Sequence, residues 1–216
     1  MKNKKAQVSL EAMKKTKFTK NRYIVLRQVI TKEVANFLLN YLIMKRTVAA
    51  LLHRNNGGEH GMAAIGTFKD EQVPGAYSLY GDPAFDTLLN ASTGVVSKIT
   101  DQTIFPTYSY SRLYTNGHEL KRHKDRPSCE ISATVNLGGD SWPIFIEPSG
   151  KENKKGKKVI LKPGDILFYY GCDLEHWREP FKGKFCAQAF LHYSTDEKLK
   201  YDYREYLGLP SKSKKW

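Results

Sequence analysis

The sequence has few cysteines, and they lack the spacing of a structural framework. Only Cys129, Cys172 and Cys186 occur among 216 residues, an odd number without a Cys-x-x-Cys pair. Disulfide-stapled secreted domains and zinc ribbons both depend on such pairs. We therefore expect a chain that folds on a hydrophobic core in a reducing compartment, most simply the cytoplasm.

Long apolar runs are also missing. No stretch of the sequence approaches the ~18 consecutive apolar residues that a membrane-spanning helix requires. Residues 1–20 are basic but contain no continuous apolar core of the kind found in secretory signals. These absences disfavour both membrane insertion and export, so we expect no membrane partner.

The net charge of +13 comes from three segments. Residues 1–20 hold seven lysines against one glutamate, residues 151–162 hold six against one, and residues 198–216 hold six basic residues against two acidic ones. The rest of the chain is close to neutral. Lysine-rich ends and loops are typical of solvated segments, so the charge alone does not favour a nucleic-acid partner.

The first half of the chain predicts a strand, two helices and a long loop. Residues 22–29 are rich in β-branched and apolar residues, as in a strand. Thr31 is placed to cap a helix that runs to about Leu52 and carries one apolar packing stripe. The stripe comprises Val34, Phe37, Leu38, Tyr41, Leu42, Met44 and Lys45. Residues 53–82 are glycine-rich and patternless, which predicts a surface loop and a candidate lid.

A second helix and a long β region follow. Asp82 and Pro83 form a cap and first turn that open a helix ending near Thr100. Its predicted buried face comprises Phe85, Leu88, Leu89, Val95, Val96 and Ile99. From Phe105 the hydrophobic period becomes two, with short strands at TYSYSRLY, EISATVNLG, WPIFIE, KKVILKPGDILFYY and KFCAQAFLHY. Many short strands indicate a sandwich or barrel.

One mainly β domain with N-terminal helices, an α+β chain, accounts for these patterns. We expect it to span residues 21–197, with a helical layer at about 31–100 and a β core at about 105–195. Residues 1–20 are then a basic N-terminal segment and residues 198–216 a basic C-terminal tail. The sequence does not indicate an oligomeric state.

A His-x-Asp pair in the β region is the strongest chemical signal. His123 and Asp125 share one face of a strand, because side chains two residues apart point the same way. One imidazole and one carboxylate form two thirds of the 2-His-1-carboxylate set that holds non-haem Fe(II). His176, which follows the strand GDILFYY, is the candidate third ligand.

Other motifs fit less well. The spacing of His118 and His123 in HELKRH is one residue too long for the helical HExxH zinc motif, so a zinc protease is excluded. Cys172 and His176 lack a third supporting group and an oxyanion motif, so we interpret that cysteine as structural. His192 has no partner pattern and is interpreted as a surface or core residue.

With these motifs, residues 20–195 resemble the 2-oxoglutarate/Fe(II)-dependent oxygenases, and within them the prolyl 4-hydroxylase-like group. The resemblance lies in YTNGHELKRHKD, LKPGDILFYYGCDLEHWREPFKG and KFCAQAFLHY. It implies a double-stranded β-helix, a jelly-roll-like core with the metal between its sheets. It also implies that His123, Asp125 and His176 bind Fe(II), and that 2-oxoglutarate, dioxygen and ascorbate as reductant take part.

The resemblance also suggests which residues bind 2-oxoglutarate. A basic residue on the strand after the second histidine holds the far carboxylate in that family, and Lys184 is the matching position. The interval from His176 is shorter than in the family, so Arg178 and Lys182 remain rivals. Tyr114 lies where the family places a tyrosine that hydrogen-bonds the cosubstrate, although a buried core tyrosine is the alternative.

The implied activity is hydroxylation of a C–H bond with release of succinate and carbon dioxide. A prolyl residue of a peptide or protein is the leading substrate. Nucleic-acid demethylation of the AlkB type is less favoured, because Arg112 stands where that group has asparagine and FCAQAF has no arginine. A small metabolite and a non-catalytic binding module of the same fold are the remaining alternatives.

Overall fold

The computed structural model describes residues 17–56 and 64–210, with the side chains of residues 55 and 56 left out. Two helices and ten strands form its main elements. The helices are α1 (Lys32–Asn56) and α2 (Pro83–Thr100). The strands are β1 (Tyr23–Leu26), β2 (Tyr77–Tyr80), β3 (Phe105–Thr115), β4 (Leu120–His123), β5 (Ile131–Gly139), β6 (Ile144–Ile146), β7 (Lys157–Val159), β8 (Ile166–Tyr170), β9 (His176–Arg178) and β10 (Phe185–Ser194). Short 3-10 turns occupy Pro127–Cys129 and Glu197–Tyr203.

The strands form two antiparallel sheets that face each other. The larger sheet has the order β1-β8-β5-β10-β3-β2, and the smaller has the order β4-β9-β6-β7. From β3 onward the chain passes back and forth between the two sheets, except that β6 and β7 form a consecutive pair in the smaller sheet. This is the winding of a double-stranded β-helix. The predicted mainly β fold with N-terminal helices is confirmed. No helix in the described ranges is both long and apolar enough to cross a membrane.

Side-chain alternation divides the larger sheet into a helix-facing side and an interior side. On the helix-facing side, Ala133, Val135, Ala189 and Leu191 pack with α1 and α2 in the main hydrophobic core. On the interior side, Ser132, Thr134, Gln188 and His192 point toward the smaller sheet and are all buried. An interior lined with this many polar groups is unusual for a plain core and prepares a site between the sheets.

Both helix starts follow the predicted capping chemistry. The amide of Val34 donates to Thr31 Oγ1 at 3.3 Å, and the amide of Ala84 donates to the Asp82 side chain at 3.0 Å. Pro83 occupies the first turn of α2, where its missing N–H costs nothing. The predicted face of α2 is confirmed, with Leu88 and Val95 only partly buried.

The prediction of a patternless loop at residues 53–82 is wrong in two places. Helix α1 continues to Asn56, and YSLY forms strand β2 at the edge of the larger sheet. Strand β2 pairs with β3, placing Tyr77 opposite Leu113. A four-residue strand between glycines depends on this distant partner, which the local pattern does not reveal. Residues 57–63 lie outside the described part of the chain.

The predicted basic tail is partly built into the domain. Arg204 is buried and donates to Asp86 Oδ2 at 2.8 Å and to the carbonyl of Thr107 at 3.0 Å. Asp86 also accepts from the backbone amides of Ser109 at 2.9 Å and Gly208 at 2.6 Å. This network fastens residues 204–208 to α2 and β3. Residues 211–216 lie outside the described part of the chain.

We predict that Asp86→Ala lowers the free energy of unfolding by about 3–5 kcal/mol, because it leaves the Arg204 guanidinium buried without its counter-ion. Urea unfolding measures the change. Asp173→Ala is the control, since it removes an exposed ion pair with Arg22 and should cost less than ~1 kcal/mol. Equal costs for the two variants would contradict the assigned role of Asp86.

Candidate metal centre

The register of two strands of the smaller sheet brings two histidines together. His123 ends β4 and His176 begins β9, and the two residues are directly opposite each other in the antiparallel pair. Their ring centroids are 4.2 Å apart. Asp125 follows β4 by two residues, and its Oδ1 lies 3.5 Å from Nε2 of each histidine. The three predicted ligand side chains therefore converge on one point.

Backbone carbonyls fix the orientation of both rings. Nδ1 of His123 lies 2.7 Å from the carbonyl oxygen of Lys121, and Nδ1 of His176 lies 3.0 Å from that of Leu174. A carbonyl can only accept, so Nδ1 of each ring carries a proton and donates to it. The Nε2 lone pairs then point at the centre of the cluster, as metal-binding histidines require.

The carboxylate of Asp125 is held from the opposite side. Its Oδ2 accepts from Ser132 Oγ at 2.7 Å, which leaves Oδ1 facing the two imidazoles. Burial would raise the pKa of Asp125, but the neighbouring His176 and His123 hold it well below the ordinary value. The group is therefore ionised, and one carboxylate with two imidazole nitrogens is a ligand set that suits a divalent cation such as Fe(II).

A second metal-like cluster shares Asp125 but fits a cation poorly. Asp125, Cys129 and His192 also bring their ligand atoms within 4.8 Å of one another. Burial and the nearby Asp125 raise the pKa of the Cys129 thiol well above its usual value, and its sulfur lies 3.1 Å from the Tyr108 hydroxyl. A protonated thiol is a weak ligand. The first cluster is therefore the candidate metal centre.

His192 supports the carboxylate indirectly. Its Nδ1 lies 3.0 Å from Ser132 Oγ, the hydroxyl that binds Asp125. Burial lowers the pKa of His192 to about 4, so the ring is neutral at ordinary pH. The sequence interpretation of His192 as a surface or core residue missed this role. Its even spacing with Cys186, Gln188 and Phe190 along β10 is the signal that places it on the interior face.

A cavity of about 380 Å³ opens beside the candidate metal centre. Its walls come from three parts of the chain: the interior faces of β3 and β10, the loop at residues 69–72, and the smaller sheet. The main lining residues are Tyr108, Tyr110, Arg112, Leu120, Ile144, Tyr169 and Phe190, together with His123, Asp125, His176 and His192. Tyr108, Tyr110 and Arg112, at alternate positions of β3, thus share the interior face of that strand.

An ion pair fixes one wall of the cavity. Asp70 accepts from Arg112 Nε at 2.6 Å and from Nη2 at 3.0 Å, a bidentate pair that is almost fully buried. The Tyr110 hydroxyl donates to the same carboxylate at 2.8 Å, and Arg112 also donates to Gln72 at 2.7 Å. The loop that the sequence suggested as a lid is therefore bound to β3 at this point.

The three basic candidates for the cosubstrate occupy different environments. Lys184 and Lys182 are exposed, and none of the three candidates is among the residues that line the cavity beside the metal centre. Lys184 lies one residue before β10, where its backbone amide donates to Asp140 at 2.6 Å. Arg178, by contrast, is 1% exposed and lies on the same interior face as His176.

The Arg178 guanidinium is buried without a counter-ion in the described part of the chain. It donates through Nη1 to the Trp142 carbonyl and lies 5.0 Å from the centroid of the Trp142 ring. Its Nε has no hydrogen-bond partner within residues 17–56 and 64–210. Burial lowers the pKa of Arg178, as expected for a cation that no carboxylate stabilises.

Tyr114 lies close to both interior arginines. Its side chain is fully buried, and its hydroxyl has no hydrogen bond of normal geometry among the described residues. Burial raises the pKa of Tyr114, while the guanidinium groups of Arg112 and Arg178 oppose the rise. An unpaired phenol beside an unpaired guanidinium is a donor pair suited to an anion.

We predict that Gly171→Ala weakens binding of Co(II) or Mn(II) roughly 10- to 100-fold, the usual cost of disturbing the groups that orient metal ligands. A Cβ at Gly171 would meet Asp125 Oδ2 and Ser132 Oγ, both at 2.5 Å. Metal titration measures the affinity. Gly94→Ala is the control, because a Cβ there meets nothing within 4 Å. An unchanged metal affinity in Gly171→Ala would show that metal binding does not depend on the placement of Asp125 next to Gly171.

Searches of protein-family models and of curated protein sequences give no match to this chain. Several solved structures, in contrast, are similar to this chain. A prolyl-4-hydroxylase from Pseudomonas putida is similar over 84% of this chain and 98% of its own, at 15% identity and a TM-score of 0.55. A 2OG-Fe(II) oxygenase family oxidoreductase from Burkholderia pseudomallei is similar over 86% and 90%, at 14% identity and a TM-score of 0.58.

A third similar structure is EctD from S. alaskensis, which contains bound Fe. It matches 85% of this chain and 76% of its own, at 16% identity and a TM-score of 0.60. Because the sequence identity to each of these three structures is low, the similarity establishes a shared fold and no more. The chain has the double-stranded β-helix fold of the 2-oxoglutarate/Fe(II) oxygenases.

Proposed function

We propose that this protein is a 2-oxoglutarate- and Fe(II)-dependent dioxygenase that hydroxylates a C–H bond of its substrate. One observation carries the proposal. Two Nε2 atoms and one carboxylate oxygen converge at the wall of a cavity, in an interior that also contains a buried guanidinium with no counter-ion among the described residues. A cation site and an anion site in one interior fit a metal and an acidic cosubstrate.

His123 Nε2, Asp125 Oδ1 and His176 Nε2 would hold the Fe(II). Three protein ligands on one side of the metal leave positions open for other groups. The bound metal would supply dioxygen activation at the expense of 2-oxoglutarate, which becomes succinate and carbon dioxide. Ser132 and the carbonyls of Lys121 and Leu174 keep the ligand atoms aimed, so the protein does not need to reorganise on binding.

Arg178 and Tyr114 are our candidates for binding the far carboxylate of 2-oxoglutarate. A buried charge without a partner costs several kcal/mol, and a carboxylate that pairs with it recovers much of that cost. The Tyr114 hydroxyl offers a second donor. The exposed Lys184, the first choice from the sequence, faces solvent, where a carboxylate would gain little from it.

A prolyl residue of a peptide or protein is the substrate we favour. Tyr108 and Tyr110 line the cavity and offer aromatic walls of the kind that contact proline rings in other recognition sites. The similarity to a prolyl-4-hydroxylase supports this choice. A small metabolite is the second candidate, because a further similar structure, HygX from Streptomyces hygroscopicus, was solved with hygromycin B bound.

We expect the protein to release succinate from 2-oxoglutarate when Fe(II), dioxygen and ascorbate are supplied, and a proline-containing peptide to stimulate the release. Asp125→Ala should abolish turnover, because two imidazoles alone hold Fe(II) poorly. Hydroxyproline in the recovered peptide, detected by mass spectrometry, identifies the product. Stimulation by small metabolites and by no peptide would contradict the prolyl assignment, and a folded, iron-loaded protein without any turnover would contradict the enzyme assignment.

Arg178→Gln should raise the KM for 2-oxoglutarate roughly 10- to 150-fold, the range of a lost hydrogen bond to a charged group. Lys184→Gln is the matched control and should leave this KM unchanged. Metal affinity should be normal in both variants, since neither residue is a ligand. The opposite pattern, a raised KM only in Lys184→Gln, would transfer the role to the exposed lysine.

A further inference from the structure

Helix α1 carries two apolar stripes, of which the fold uses one. The predicted single stripe divides in the structure. The core stripe comprises Ala35, Leu38, Leu42 and Ala49, all buried. The second stripe, which we call the seam, comprises Val34, Phe37, Tyr41, Met44, Val48 and Leu51. Most seam residues come one position before a core residue, so the seam lies about 100° around the helix from the core stripe.

The seam is largely exposed. Phe37 and Met44 are 66% and 67% exposed, and Val34, Val48 and Leu51 are each more than 40% exposed. Tyr41 is partly buried, and its hydroxyl donates to Asp82 Oδ2 at 2.8 Å. Single exposed apolar side chains are ordinary on protein surfaces, but a contiguous row of them marks an interaction site.

The spacing of the seam specifies a helix as its partner. Its six positions are separated by alternate steps of three and four residues, the pattern of a coiled-coil seam in which each side chain fits between those of a facing helix. Helix α1 has 25 residues, about 37 Å at the ordinary rise per residue, which is long enough to present all six positions to one partner.

We propose that the seam joins two copies of this chain through antiparallel packing of their α1 helices. The spacing of the seam residues is symmetric about the midpoint between Tyr41 and Met44. A two-fold axis at this midpoint therefore pairs each seam position of one copy with a different seam position of the second copy. Val34 then faces Leu51 of the second copy, Phe37 faces Val48, and Tyr41 faces Met44. No layer holds two aromatic rings, whereas parallel packing would stack Phe37 on Phe37 and Tyr41 on Tyr41.

The charges beside the seam favour the same direction. Glu33 lies in the first turn of α1, and His53 and Arg54 lie in the last turn. Glu33 and Arg54 occupy the same flank of the seam, so antiparallel packing places the glutamate of each copy beside the arginine of the other. Parallel packing would leave the glutamates and the arginines at opposite ends of the interface. The helix dipoles also oppose each other only in the antiparallel arrangement. On the other flank, Lys45 already contacts Asp82 of its own chain at 3.0 Å.

The proposed interface lies apart from the candidate metal centre. Helix α1 packs on the helix-facing side of the larger sheet, where Leu39 is close to Gly138, while the cavity lies between the two sheets. Dimer formation therefore neither adds a residue to the cavity nor covers it. This inference does not depend on the proposed catalytic function, and its test can fail or succeed alone.

Light scattering over a concentration series tests the oligomeric state of the full-length protein. We expect a dimer for the native chain and a monomer for Phe37→Glu/Met44→Glu, with helical content and metal binding unchanged. Ile43→Glu is the matched control, because Ile43 is an exposed apolar residue of α1 outside the seam, at 36% exposure, and it should leave the dimer intact. A native chain that is monomeric at every concentration would overturn the proposal.

Cysteine cross-linking tests the direction of packing. In a Cys172→Ser background, the double variant Val34→Cys/Leu51→Cys should form an oxidised dimer, and each single variant should not. Cross-linking of a single variant would place the same residue of two copies together and overturn the antiparallel arrangement. A monomer in which deletion of residues 1–16 produces dimers would also overturn the proposal, since it would identify that segment as the occupant of the seam.

Discussion

The pairing of β4 with β9 is the constraint on which the candidate site depends. It sets His123 opposite His176, and the carbonyls of Lys121 and Leu174 then fix which nitrogen of each ring faces inward. A shift of one residue in this register would turn one imidazole to the outer face of the sheet. The larger sheet completes the arrangement through Ser132, which binds the free oxygen of Asp125. Both sheets are needed to make one ligand set.

The interior between the two sheets contains charged side chains that are not all paired with an opposite charge in the described part of the chain. Asp70 neutralises Arg112, but Arg178 has no carboxylate partner in the described ranges. Such a charge lowers stability, and proteins keep such costs mainly at functional positions. The unpaired phenol of Tyr114 lies close to it. The physical argument for an acidic cosubstrate thus comes from an energetic deficit in the fold and does not depend on the motif resemblance alone.

Local pattern predicted most of the fold and all three metal-ligand candidates. Period-two alternation located the strands from Phe105 onward, and capping chemistry located both helix starts. What it missed depends on distant contacts. Strand β2 exists because β3 pairs with it, and Arg204 is buried because Asp86 on α2 receives it. The split of the α1 stripe into buried and exposed halves likewise depends on which side the sheet occupies.

The three basic candidates for cosubstrate binding show the same limit. Spacing after His176 favoured Lys184, because a sequence interval cannot state which side chains point between the sheets. The structure places Arg178 inside and Lys184 outside. His192 was missed for a related reason, since its role requires Ser132 and Asp125 from two other segments. Residue type and spacing predicted which three side chains converge at the candidate metal centre, while burial and strand pairing were needed to find the groups around it.

Calorimetric titration of 2-oxoglutarate into the protein, with and without Mn(II), tests the central claim most directly. We predict one binding site for 2-oxoglutarate whose affinity depends strongly on the metal. The cosubstrate must contact both the metal held by His123, Asp125 and His176 and the buried guanidinium of Arg178. Binding that is equally strong without metal, or absent from a folded and metal-loaded protein, would contradict it.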